Sequence, residues 1–122
     1  MAQIRHLAIV TDNPKKLAEF YTEAFGLKVT GTGYYGDVWL SDGHIDVALI
    51  PHRENVPAGL NHFGFTLENE DERDHVYKVL DGLGIKTFNP GPNRPYVEEA
   101  ARDTDGNRFD ISVKGLTAKK LQ

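Results

Sequence analysis

Two histidines and two aspartates stand where a sequence like this one could do chemistry. His6 lies in "IRHLAIV", His62 in "LNHFGFTL", Asp46 in "IDVALI" and Asp110 in "FDISV". Each segment alternates apolar and other residues, as a strand with one buried side does, so successive side chains point to opposite faces. His6 then points away from Leu7 and Ile9, His62 from Phe63 and Phe65, Asp46 from Ile45 and Val47, and Asp110 from Phe109 and Ile111. Aspartate is among the residues a strand least prefers, so a carboxylate in such a place either meets water or has a use. Two imidazoles with one or two carboxylates, and positions left open, suit one catalytic divalent ion: iron, zinc, manganese, nickel or cobalt.

The four residues form two pairs because the chain repeats itself. After the first strand, Asn13 offers an N-cap and Pro14 a first helical position. Leu17, Phe20, Tyr21 and Ala24 follow at helical spacing, Gly26 closes the helix, and "LKVT", "YYGDVWL" and "IDVALI" read as three strands. From residue 60 the same order returns: "LNHFGFTL", a helix carrying Val76, Val79, Leu80 and Leu83, then "GIKTF", a loop "NPGPNRP", "YVEEAAR" and "FDISV". His62 follows His6 by 56 residues and "FDISV" follows "IDVAL" by 64, a drift that loop insertions around 89–95 absorb. The expected fold is α+β: two βαβββ modules in pseudo-repeat, forming a curved, cup-like mixed sheet with helices on its outer face. Residues 1–122 then form one domain, with modules of about 1–50 and 60–115, a linker at 51–59 and a tail at 116–122.

Composition narrows the possibilities. A chain of 122 residues suits one core and therefore one site. With 39% hydrophobic and 26% charged residues and a net charge of -4, it reads as globular and recommends neither nucleic acid nor an anionic membrane as partner. The start turns polar after a short apolar stretch, and no run approaches the ~18 apolar residues of a membrane helix, so a cytoplasmic protein is expected. With no cysteine, disulfides and thiolate sites are excluded and any metal must be held by nitrogen and oxygen.

"IRHLAIVTDNPKKLAEFYTEAFGLKV", "LNHFGFTLE" and "DTDGNRFDIS" together resemble the vicinal oxygen chelate superfamily, which includes glyoxalase I, methylmalonyl-CoA epimerase, extradiol dioxygenases, and fosfomycin and bleomycin resistance proteins. The resemblance implies metal ligands at His6, Asp46, His62 and Asp110, a small-molecule substrate and a homodimer. Two positions depart from the pattern. The last ligand is usually glutamate where this chain has the shorter Asp110, and glutamate, glutamine or histidine often stands where Asp46 is.

An ion with open positions can take two neighbouring substrate oxygens and stabilise the negative charge that develops on them. With four protein ligands, Asp46 or Asp110 can leave the ion and act as base in glyoxalase-like isomerase or lyase chemistry. With His6, His62 and Asp110 alone, the set is the two-histidine, one-carboxylate triad of Fe(II) ring-cleaving dioxygenases. A metal-free antibiotic-binding protein is the third reading. Alternation further expects Tyr35 and Trp39 on the cup side, with Tyr96 and Glu98 likewise, Glu98 serving as a reserve base. Arg94, in the loop, would meet a substrate carboxylate or phosphate.

Overall fold

The computed structural model describes residues 1–91 and 97–113. Seven strands and two helices follow in the order β1 (Gln3–Thr11), α1 (Pro14–Phe25), β2 (Lys28–Thr32), β3 (Val38–Ser41), β4 (Asp46–Pro51), β5 (Gly59–Thr66), α2 (Glu70–Gly82), β6 (Glu99–Arg102) and β7 (Arg108–Ser112). Local chemistry sets both helix starts. Asn13 and Asn69 accept the N–H groups of Lys16 and Glu72, satisfying donors that a helix leaves unpaired. Glu70, Asp71 and Glu72 add negative charge at the first turn of α2. Gly26 ends α1 in the left-handed region at φ 73°, a conformation that costs glycine nothing.

All seven strands join one mixed sheet in the order β2-β3-β4-β1-β5-β7-β6. β1 runs parallel to β4, and β5 parallel to β7, while β1 and β5 pair antiparallel at the centre and stitch the two halves together. Each half therefore follows the same pairing order about the β1–β5 seam, the second with one strand fewer, and the curved sheet has two different faces. One is covered by helices: Ala18 of α1 packs with Val38, Leu40 and Leu49, and Leu67, Ala101, Phe109 and Ile111 pack with Val76, Tyr77 and Leu80 of α2. The concave face carries Ala8, Val10, Trp39, Ala48 and Ile50. The main apolar burial lies on the helix side, which leaves the concave side available for a site.

One expected strand is missing from the ladder. In "GIKTF", Phe88 alone forms a bridge, exchanging both backbone hydrogen bonds with Ala100 at 2.8 Å. Gly84 in the left-handed region precedes it, and Pro90, which has no N–H, prevents pairing beyond it. β3 likewise begins only at Val38, because Tyr34, Tyr35 and Gly36 form a turn. At the end of α2, Leu83 is the C-cap and is exposed.

Leu49 is fully buried against the α1 side of the sheet. Leu49→Ala should therefore lower unfolding free energy by about 2–5 kcal/mol in urea titration, as truncation of a buried leucine does.

Candidate metal centre

His6 sits in β1, His62 in β5 and Asp110 in β7, and their side chains meet on the concave face. His6 Nε2 and His62 Nε2 are 3.3 Å apart, and Asp110 Oδ2 lies 3.1 Å from His62 Nε2 and 3.8 Å from His6 Nε2. Ligands about 2.1 Å from one ion, and roughly at right or tetrahedral angles, stand about 3.0–3.4 Å from each other. Two of the three separations fall in that range, and the third needs a shift of a few tenths of an ångström. Among the described residues these three alone form such a group.

Neighbouring side chains turn the donors inward. His62 Nδ1–H donates to Asn61 Oδ1 at 2.6 Å, which fixes the tautomer that leaves a lone pair on Nε2. Arg108 donates from Nε and Nη2 to Asp110 Oδ1 at 3.2 and 3.1 Å, so Oδ2 is the oxygen left to the group. Without an ion, burial pushes the Asp110 carboxyl up, but the hydrogen bond from a protonated His62 and the charges of His62, Arg108 and His6 outweigh it and hold it below the ordinary carboxylate value; an ion would take the place of that proton on Nε2. Three electron-pair donors converge in a buried place, and a single cation can satisfy all of them. The donor set fits the divalent ion that nitrogen and oxygen ligands would hold.

Strand register explains how Asp110 reaches His6. His6 pairs with Gly64 across β1–β5, and Gly64 pairs with Asp110 across β5–β7, so the histidine and the aspartate are two strands apart. A Cβ on Gly64 would stand 3.1 Å from His6 Cβ, 3.2 Å from His6 Cδ2 and 3.4 Å from Asp110 Cβ. Because glycine leaves that space empty, the flanking side chains can lean over it. The site is centred above Gly64, on the β5–β7 side of His6.

Asp46 stands apart from that location. It is buried on the concave face beside His6, its register partner on β1, but its carboxylate does not join the three-donor group. The pseudo-repeat shows why. Asp110 pairs with Gly64 and Ala100, and the corresponding pairings in the first half, to Ala8 and Trp39, belong to Ala48. The structural counterpart of Asp110 is thus Ala48, one step along the same face of β4, where no ligand atom exists.

The cavity beside the donors measures about 170 Å³, and Trp39, Val10, Ala48, Ile50, Val97, Asn61, Asp37, Arg53 and Arg108 contribute to its lining. Two expected wall residues are elsewhere. Tyr35 lies in the turn before β3, where Arg53 stacks 5.4 Å above its ring. Glu98 turns toward α2, its Oε1 accepting from Arg73 at 3.4 Å, and burial, aided by the charges of Glu98 and Glu99, pushes the Tyr77 hydroxyl up to about 12. Glu98 N–H bonds to Ile111 O although Ile111 registers with Glu99, so two residues oppose one and the alternation slips, as in a β-bulge. Arg94 and Tyr96 lie outside the described residues. Asn61, Arg108, Arg53 and the buried Asp37 were not singled out from the sequence; the first two sit one and two positions from a ligand, the only signal they carry.

Residues 3–111 match the family model described as the Glyoxalase/Bleomycin resistance protein/Dioxygenase superfamily. Among solved structures, the fold is similar to that of the 2,3-dioxygenase LapB from Pseudomonas sp. KL28, with a TM-score of 0.76 and 19% identity over 91% of this chain and 40% of that one. Homoprotocatechuate 2,3-dioxygenase from Arthrobacter globiformis gives a TM-score of 0.72 at 19% identity, over 91% and 35%. A methylmalonyl-CoA epimerase variant from Streptomyces coelicolor gives 0.68 at 20%, over 91% and 96%. The chain spans well under half the length of the two dioxygenases and nearly all of the epimerase.

Gly64→Ala should weaken cobalt(II) binding about 10- to 100-fold in a spectroscopic titration, because the added methyl group crowds His6. Asn61→Ala should lower affinity to a similar degree by freeing the His62 tautomer. In both variants the unfolding midpoint of the metal-free protein should move little.

Proposed function

The chain belongs to the Glyoxalase/Bleomycin resistance protein/Dioxygenase superfamily, and from that premise we propose that it is a divalent-metal enzyme that binds a small substrate through two neighbouring oxygens. Its best-supported reaction is Fe(II)-dependent extradiol ring cleavage of a catechol-type compound. The carrying observation is the convergence of two histidine nitrogens and one carboxylate oxygen, with Asp46 outside the group and Ala48 at the position equivalent to Asp110.

His6, His62 and Asp110 would hold the ion, which supplies a Lewis acid with open positions and, as iron(II), the electrons that dioxygen chemistry needs. The protein's own work is orientation and selection. Asn61 accepts from Nδ1–H of His62 and so leaves Nε2 to the ion, and Arg108 helps hold Asp110 ionised and presents one oxygen. Trp39, Val10 and Ile50 form an apolar wall against which a flat ring can lie. A cavity of about 170 Å³ has room for roughly half a dozen waters, which suits a small molecule.

Asp37 favours a second reading, isomerisation or epimerisation at a carbon next to the chelated oxygens. It is a buried carboxylate lining the same cavity, so it is a candidate base where Glu98 has turned to α2. The four-ligand scheme with a departing Asp46 carboxylate has less support, because that carboxylate stands outside the group.

Iron(II)-loaded protein should consume oxygen with catechols and form the yellow ring-opened product. Ala48→Asp should retain metal but lose this activity by at least tenfold, because a fourth protein ligand would close a position the substrate needs. Deuterium exchange from solvent into a 2-oxo acid or thioester, without oxygen uptake and abolished in Asp37→Asn, would favour the second reading instead.

A further inference from the structure

Arg53 is the cavity residue that the chemistry above leaves unused. It lies in the connection between β4 and β5, exposed, yet it lines the cavity. The segment is fastened at several points. His52 N–H bonds to Thr11 O at 2.9 Å, Val56 N–H bonds back to Arg53 O at 3.2 Å, and Val56 packs on the apolar cluster of the concave face. Asn55 adopts a left-handed φ of 66°, a conformation asparagine tolerates better than most residues. The guanidinium is further constrained by the Tyr35 ring 5.4 Å beneath it.

Among the described residues no carboxylate lies within ion-pair distance of Arg53. Among the described residues of the lining, Arg108 is the other arginine and is engaged with Asp110. Asp37 is the remaining carboxylate among them, and with a divalent ion at the three donors these groups carry net positive charge. A guanidinium held over an aromatic ring still presents a fork of N–H donors that matches a planar carboxylate.

We propose that the substrate carries a carboxylate at the end opposite its two neighbouring oxygens, and that Arg53 binds it. This rests on the vicinal-oxygen reading above and names its substrate class. Pro51 registers with Thr11, five residues beyond His6 on β1. At about 3.3 Å per residue, less the reach of an arginine side chain, the carboxylate lies roughly 10 Å from the donor group. A dihydroxyphenyl ring bearing a short acid chain spans that distance.

The test compares 3-(3,4-dihydroxyphenyl)propionate with its neutral primary amide, titrated into cobalt(II)-loaded protein and followed in the visible spectrum. In the parent protein the acid should bind at least tenfold more tightly than the amide. In Arg53→Gln the acid should lose that advantage while the amide binds as before. Equal affinities in the parent, or a preference that survives in Arg53→Gln, would overturn the role of Arg53 and leave the vicinal-oxygen reading intact. If neither compound perturbs the cobalt spectrum, the vicinal-oxygen reading fails, and the carboxylate proposal fails with it.

Discussion

Everything at this site depends on three electron-pair donors held closer together, in a buried place, than they would stay without a cation. His6 Nε2, His62 Nε2 and Asp110 Oδ2 lie 3.1 to 3.8 Å from one another. Such an arrangement is repulsive unless a proton or a metal ion sits among them. The surrounding features are ways of holding that arrangement together. The antiparallel β1–β5 seam brings the two histidine strands side by side, the parallel β5–β7 pair supplies the carboxylate, and Gly64 leaves the floor open between them. Arg108 and Asn61 then fix which oxygen and which nitrogen face inward.

Stability and site occupy opposite faces of one sheet. The helices cover the face that carries Leu40, Leu49 and Ile111, all essentially without solvent exposure. Residues on the concave face therefore have some freedom to vary, because the larger apolar burial does not pass through them. Where the concave face does pack, through Trp39, Ala48, Val10 and Val56, it forms the apolar wall of the cavity.

The fold and half of the candidate site were legible in the sequence. Alternation fixes which face a strand residue takes, and His6 and His62 occupy equivalent places in two copies of one pattern, so their meeting could be expected. Alternation does not fix level along a strand. Asp46, Ala48 and Ile50 all share the concave face of β4, and only the pairing with β1 shows that Ala48 stands where Asp110 stands in the other half. The 64-residue offset between "IDVAL" and "FDISV" concealed that slip. Glu98 turns toward α2 for a related reason, since a bulge that lets two residues oppose one resets the alternation. Arg53 and Asp37 lie outside strands, where no periodicity exists to orient a side chain.

The most direct test of the three-donor centre is elemental mass spectrometry of protein purified without chelator, comparing the parent with His62→Ala, Asp110→Ala and Asp46→Ala. One equivalent of a divalent metal in the parent and in Asp46→Ala, with loss in His62→Ala and Asp110→Ala, is the predicted result. Metal retained in His62→Ala, or lost on removal of Asp46 alone, would contradict it.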